Sequence, residues 1–419
     1  MTQLELARSG QVSPEMEHVA AAEGMDAQVL LARVREGRVV IPANANHTGL
    51  QPVGVGGGLR TKVNANIGTS PGRSCVEAEL AKLRAALEAG ADTVMDLSID
   101  GDLDAILRQI LANCPVPLGT VPIYNTAVRC GGGAEMTSEA YLEDFERHAR
   151  AGVDFATVHA GVTRQCIPLA EARLMGVVSR GGSLLIKWMR ERGAENFLYE
   201  RFDDVLDMAR AHDVTLSLGD GLRPGCIEDA TDEAQITELK TLGELARRAR
   251  ERGVQVMIEG PGHVPLHEIA ENMRMEKELC DGAPFYVLGP LPTDVTPGYD
   301  HIAGAIGGAL AAMSGADFLC YVTPMEHVGL PGPEDVRQGV IVTRIAAHVG
   351  DIAKGIEGAR ELDGRMSEAR GRRDWDVMLE LALDPQRFGE VLTDEARDGQ
   401  CSMCGEFCAI KVFRGEDDA

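Results

Sequence analysis

From about Val63 to Pro324, short β-prone runs of apolar residues alternate with longer stretches of helical periodicity. The runs are Thr93–Leu97, Leu118–Tyr124, Asp154–His159, Val177–Ser179, Val214–Leu218, Val254–Glu259, Phe285–Leu288 and Asp317–Val322, which makes about eight strands. Between them Leu103, Ile106, Leu107, Ile110 and Leu111 recur at the spacing that gathers one face of a helix. Strand and helix in strict alternation imply a parallel sheet. Eight such units predict an α/β fold of the closed (β/α)8, TIM-like kind, and an open doubly wound sheet is the alternative with the same periodicity.

Outside this span the pattern changes. Residues 1–62 read as an N-terminal arm: a helical stretch from Ser13 to Glu36, with Pro14 behind a capping Ser13, and then a glycine-rich turn from Gly54 to Gly58. The barrel is assigned to 63–330. Residues 331–395 carry amphipathic patterns and few strand signals, which predicts a C-terminal helical bundle. A short tail, 396–419, holds three clustered cysteines.

Charge narrows the partners. With 41 Lys and Arg against 65 Asp and Glu, the formal net charge is −24, which repels nucleic-acid phosphates and anionic membranes. A small phosphorylated substrate stays compatible, because a few arginines and helix N-termini hold a phosphate locally. No charged start followed by an apolar run opens the chain and no segment approaches eighteen consecutive apolar residues, so a cytoplasmic protein is expected. In that compartment the ten cysteines point to ligand or core roles, not disulfides, and the seven scattered ones (Cys75, Cys114, Cys130, Cys166, Cys226, Cys280 and Cys320) are expected as small buried hydrophobes.

In a barrel of this kind the loops after the strands build the site. Nearly every strand here ends in polar residues: Asn64 and Asn66, Met95 with Asp96, Tyr124 with Asn125, His159, Ser179-Arg180-Gly181, Asp220-Gly221-Leu222-Arg223, Glu259 with His263, Tyr286, and Glu326 with His327. Singly, a histidine or tyrosine in such a place is more often structural; together they outline an active site. His263 and His327 leave open positions that suit zinc or ferrous iron. Arg180 and Arg223, each beside glycine, are candidates for anion recognition, with an inter-loop salt bridge as the plainer reading.

The tail reads Cys401-Ser-Met-Cys404-Gly-Glu-Phe-Cys408. Three thiolates hold three irons of a [4Fe–4S] cluster and leave the fourth iron open to a ligand such as S-adenosylmethionine. A zinc knuckle is the alternative, but it wants a fourth Cys or His and the tail contains no histidine.

Several stretches, taken together, resemble the phosphomethylpyrimidine synthase family of thiamine-biosynthesis radical enzymes. They are Arg60-Thr-Lys-Val-Asn-Ala-Asn-Ile-Gly68, Ser179-Arg-Gly-Gly182, Gly219-Asp-Gly-Leu-Arg-Pro-Gly-Cys226, Ile258-Glu-Gly-Pro-Gly-His-Val-Pro265, Pro297-Gly-Tyr-Asp-His301, Cys320-Tyr-Val-Thr-Pro324 with Glu326-His327, and the Cys401 motif. The resemblance implies a (β/α)8 barrel, a homodimer in which the tail reaches the partner's active site, an electron donor, and conversion of 5-aminoimidazole ribotide to hydroxymethylpyrimidine phosphate with release of formate and carbon monoxide. It also implies substrate contacts from Asn66, Met95, Tyr124, His159, Ser179, Arg180, Gly181, Asp220, Gly221, Leu222, Arg223, Glu259 and Tyr286, zinc or iron on His263 and His327, and a [4Fe–4S] cluster on Cys401, Cys404 and Cys408 with S-adenosylmethionine. The chain departs from longer members in lacking an N-terminal extension and in spacing its tail cysteines by two then three residues, where those members have two then four. Two other functions are weighed against this one: 5-hydroxybenzimidazole synthesis from the same ribotide, and a barrel metallohydrolase on His263, His327 and Glu259 with a structural zinc tail.

Overall fold

The computed structural model describes residues 1–73, 75–397 and 403–415. The chain divides into two compact units, Met1–Lys354 and Gly355–Ala419.

The first unit opens with three helices, Gln3–Arg8, Pro14–Ala22 and Ala27–Arg35. The single expected arm is thus broken, at Gly24 in the left-handed region (φ 64°), after which Asp26 caps the third helix. Ser13 caps as expected, its side chain accepting from the Met16 N–H. Two short strands follow, β1 (Val39–Val40) and β2 (Val55–Gly56), paired antiparallel.

Next come eight parallel strands: β3 (Lys62–Ile67), β4 (Thr93–Asp96), β5 (Leu118–Thr120), β6 (Phe155–Val158), β7 (Thr215–Leu218), β8 (Val256–Gly260), β9 (Phe285–Leu288) and β10 (Phe318–Cys320). They form a closed barrel in chain order, sealed where Phe318 of β10 pairs with both Tyr286 of β9 and Lys62 of β3. Closure decides against the open sheet.

Two expected runs are corrected. Val177–Ser179 is not a strand; it leads into the helix Arg180–Arg192, which Ser179 caps, and β3 supplies the eighth barrel strand. Leu118–Tyr124 stops as a strand at Thr120, because Pro122 starts the helix Pro122–Arg129. Tyr124 and Asn125 are therefore helical residues.

Strand alternation explains the barrel's interior. Asn64 and Asn66, Thr93 and Met95, and Phe318 and Cys320 each stand two apart, and they meet inside: Asn64 Nδ2 donates to Tyr286 Oη at 2.7 Å and Thr93 Oγ1 donates to Asn64 Oδ1 at 2.8 Å. Below them Phe318 stacks on Tyr286 with centroids 4.2 Å apart. Phe155 fills the neighbouring space, which exists because Gly119 lacks a Cβ that would stand 2.2 Å from its ring. The helix Pro333–Lys354, expected in the bundle, lies in the first unit; there the Asp351 carboxylate accepts from the Thr61 N–H and Oγ1 at the foot of β3.

The second unit contains the helices Ala359–Arg372, Trp375–Leu381, Pro385–Val391 and Asp394–Arg397, the 3-10 turn Gly405–Phe407 and the helix Ala409–Arg414. Asp374 and Asp384 cap two of these helices by accepting from the Val377 and Arg387 N–H groups. Among the described residues, no helix is long and apolar enough to cross a membrane.

Candidate active site

A cavity of about 400 Å³ opens at the C-terminal ends of the barrel strands. Asn66, Met95, Tyr124, His159, Arg180, Asp220, Arg223, Glu259, Tyr286 and His327 all line it. Of the other candidates, Ser179, Gly181, Gly221 and Leu222 stand behind this wall and shape it.

One side of the cavity is built for an anion. Ser179 caps the 13-residue helix Arg180–Arg192, whose positive dipole end lies at Arg180, and Arg223 lines the cavity with it. The Arg180 guanidinium lies over the Tyr124 ring, 4.7 Å from its centroid, and Arg223 Nη1 stands 3.4 Å from Asp220 Oδ1. Two glycines allow the elements to approach this closely. A Cβ on Gly181 would sit 2.4 Å from the His159 ring, and one on Gly182 would sit 2.1 Å from the Gly221 carbonyl oxygen. Leu222 itself is core, and its N–H donates at 2.7 Å to Glu238 of the helix Glu233–Glu251.

The opposite side is polar. Asn66 Nδ2 donates to Cys320 Sγ at 3.1 Å, and Tyr286 Oη stands 3.7 Å from Met95 Sδ. Cys320 is thus a wall of the cavity as well as a buried residue, its thiol pushed up to about 12 by burial. Of the remaining scattered cysteines, Cys114, Cys166, Cys226 and Cys280 are buried as expected, whereas Cys75 is exposed and Cys130 half-buried.

Burial sets the protonation states. It raises the Asp220 carboxyl well above the usual range, against the pull of Arg223, and it raises Glu259 against the Thr157 and Ser217 hydroxyls, which donate to Glu259 Oε1 at 2.7 and 2.8 Å. Burial and then Arg223 lower His159 to about 3, so the imidazole is neutral. Its Nδ1 and Asp220 Oδ2 are buried with no hydrogen-bond partner, and both residues face the cavity. A ligand with polar edges would satisfy both.

His263 and His327 come together, ring centroids 5.2 Å apart. His263 Nδ1 is 2.7 Å from Asp294 Oδ1, which leaves Nε2 for a ligand. His327 holds a left-handed backbone conformation (φ 63°) that a side chain adopts only where its surroundings enforce it, and such positions concentrate at functional sites. Among the described residues, no three His, Cys, Asp or Glu side chains converge as a metal site, so a metal here would have two imidazoles and otherwise exogenous ligands. The donor chemistry fits zinc or ferrous iron.

In the second unit Cys404 is exposed and Cys408 half-exposed, flanking the Gly405–Phe407 turn. The Lys411 and Ile410 N–H groups lower the Cys408 thiol. Cys401 lies outside the described residues.

Sequence reasoning missed Lys82, Thr157 and Tyr321, which also line the cavity, and the supporting Ser217 and Glu238. Thr157 was within reach, since it stands two residues before His159 and so shares the inward face of β6. Glu238 carried no local signal.

The Radical SAM ThiC family model matches residues 2–415. The chain belongs to this family. The phosphomethylpyrimidine synthase of Desulforudis audaxviator (strain MP104C) is 56% identical, with 100% of this chain and 99% of that one covered. That of Moorella thermoacetica (strain ATCC 39073 / JCM 9320) is 56% identical over 98% of this chain and 97% of its own. Among solved structures, Xanthomonas albilineans dihydropteroate synthase covers 76% of this chain and 100% of its own at 16% identity and a TM-score of 0.42. The protein is accordingly a radical S-adenosylmethionine enzyme of thiamine-pyrimidine synthesis that acts on a small molecule, and its family implies a [4Fe–4S] cluster and S-adenosylmethionine.

Proposed function

We propose that the enzyme converts 5-aminoimidazole ribotide to 4-amino-5-hydroxymethyl-2-methylpyrimidine phosphate, releasing formate and carbon monoxide. The observation that carries this reading is the two-sided cavity: a helix N-terminus with two arginines on one side, and buried polar groups without partners beside it. A ribotide has that polarity, with a dianionic phosphate at one end and an aminoimidazole with donor and acceptor edges at the other.

Within this reading Arg180 and Arg223 take the phosphate through their guanidinium groups, while Ser179 and Gly181, behind the wall, set the helix N-terminus whose dipole favours it. Asn66, Met95, Tyr124 and Tyr286 bound the heterocycle and ribose. His159, neutral and unpartnered at Nδ1, and Asp220, unpartnered at Oδ2, supply hydrogen-bonding groups to the imidazole or sugar. Asp220, Gly221 and Leu222 set the loop that presents Arg223. Thr157 and Ser217 keep Glu259 facing the substrate. A [4Fe–4S] cluster on Cys401, Cys404 and Cys408 would supply the electron that cleaves S-adenosylmethionine reductively to its 5′-deoxyadenosyl radical. His263 and His327 would hold zinc or ferrous iron. The enzyme works as a homodimer, served by an external electron donor.

The test is anaerobic turnover of 5-aminoimidazole ribotide by reconstituted protein, with products identified by mass spectrometry. The pyrimidine phosphate, formate and carbon monoxide are expected, and Cys404→Ala should abolish all three. A benzimidazole product would replace this reading with 5-hydroxybenzimidazole synthesis. Full activity of the Cys404→Ala protein, or turnover in air without S-adenosylmethionine, would return the metallohydrolase.

A further inference from the structure

One loop stands against both metal-site imidazoles. The segment from Leu291 to Asp300, which joins β9 to the helix Asp300–Ser314, brings a carboxylate to each ring. Asp294 Oδ1 is 2.7 Å from His263 Nδ1, and Asp300 Oδ1 is 3.5 Å from His327 Nδ1. The segment is itself stitched to the turn that carries His263: the Leu291 N–H donates to the Gly262 carbonyl at 2.7 Å and the Val264 N–H donates to the Leu291 carbonyl at 3.1 Å. Asp294 also reaches the substrate side, where its Oδ2 accepts from the Ile227 N–H at 3.0 Å, four residues beyond Arg223. Asp300 is buried, and its Oδ2 has no hydrogen-bond partner.

A carboxylate on one ring nitrogen fixes the tautomer of a neutral histidine and makes the other nitrogen the stronger ligand, and the effect of losing that partner on metal affinity is about 10- to 100-fold. The geometry points to Asp294 as the positioning residue of the metal site, with the buried Asp300 carboxylate placing negative charge beside His327. Asp294 turns His263 so that Nε2 is the metal donor, and through Ile227 it ties that imidazole to the loop bearing Asp220 and Arg223. This inference rests on the reading of His263 and His327 as metal ligands. A purely structural role, as a pin between the 227 and 263 turns, would alter thermal stability and leave metal affinity alone.

The test uses the full-length chain with Cys401, Cys404 and Cys408 changed to Ser, so that tail thiols do not take up the probe. Co²⁺ is titrated anaerobically into the metal-free protein and followed by its visible d–d absorption. Asp294→Ala should weaken cobalt binding about 10- to 100-fold and shift the band. Asp294→Asn, which keeps an acceptor for the Nδ1 proton but loses the charge, should fall between the two, and Asp300→Asn should weaken binding in the same direction. If His263→Ala abolishes binding while Asp294→Ala and Asp294→Asn bind as tightly as their parent, the positioning role is overturned and the metal reading stands. If the parent takes up no cobalt, or His263→Ala binds it equally well, the metal reading fails and this inference falls with it.

Discussion

Gly182→Ala probes how the start of the Arg180–Arg192 helix and the Asp220–Arg223 loop are held together. Gly182 lies outside the left-handed region, so alanine costs nothing in backbone conformation there and its effect is steric. The new Cβ would stand 2.1 Å from the Gly221 carbonyl oxygen, 2.8 Å from its carbon and 2.9 Å from the Gly221 Cα, all backbone atoms that cannot rotate away. Ordinary contact begins at 3.4 Å, so the start of the Arg180–Arg192 helix must separate from the Asp220–Arg223 loop by more than an ångström. Overpacking of this kind costs about 1–3 kcal/mol of stability. Under the proposed function, in which Arg180 and Arg223 grip one phosphate from these two elements, the consequence for catalysis is larger, because a misplacement near 1 Å lowers kcat/KM about 100-fold. The loss should fall on both KM for the ribotide and kcat, measured in anaerobic turnover with reconstituted protein. Gly57→Ala is the control, since nothing lies within 4 Å of its Cβ and its φ is not left-handed. If Gly182→Ala keeps the parental kcat/KM, the close approach of these glycines does not set the phosphate site.

Stability should fall as pH rises from about 6.5 to 8. Burial raises Glu238 to about 8 and Asp213 and Glu276 to about 7, so over this range the folded chain holds protons that the unfolded chain has released, and stability declines until those carboxyls ionise. His148 and His159, lowered to about 4 and 3, act in the opposite direction, but only below the ordinary histidine value near 6.5, where the unfolded chain binds the extra protons. Thermal melts at pH 6.5 and 8 should therefore differ, and Glu238→Gln, isosteric with the protonated side chain that accepts from Leu222, should flatten the slope; an unchanged slope would remove Glu238 from the account. His148→Leu should destabilise the fold by about 2–4 kcal/mol, because the buried Thr120 hydroxyl and Asn125 amide, 2.8 and 2.9 Å from its ring nitrogens, lose their partner. Urea denaturation measures this, and a loss under 1 kcal/mol would mean that water replaces the ring.

The barrel was legible because parallel strands buried on both faces must be short apolar runs, and the runs at Thr93, Phe155, Thr215, Val256, Phe285 and Phe318 have no other use. Val177–Ser179 looks the same over three residues and is not a strand. Its Val178 is used at the rim of the cavity, in the space left by Gly225, whose Cβ would be 2.3 Å from the valine side chain. Three β-branched or small residues are too few to tell a strand from a loop packed on a glycine. The end of β5 is hidden for a different reason: Pro122 continues the apolar run, yet proline at a first helical position starts a helix and carries Tyr124 over to Arg180.

The site shows the same division between what one strand records and what only the closed chain creates. Residues that line the cavity stand at strand ends or just beyond, so position alone exposes Asn66, His159 and Glu259. The groups that orient them come from far along the chain. Glu238 holds Leu222 from 16 residues away, Asp294 meets His263 across 31, and Thr157 reaches Glu259 across 102. None of these separations signals the orienting role, because a hydrogen bond between elements that only barrel closure brings together places no constraint on sequence separation. For the same reason their substitution should be read against that of the residues they hold. If Thr157→Val and Glu259→Gln each lower kcat/KM, and the double variant is no worse than the poorer single one, the hydroxyl acts through the carboxylate; full additivity would assign Thr157, which also lines the cavity, its own contact with the substrate.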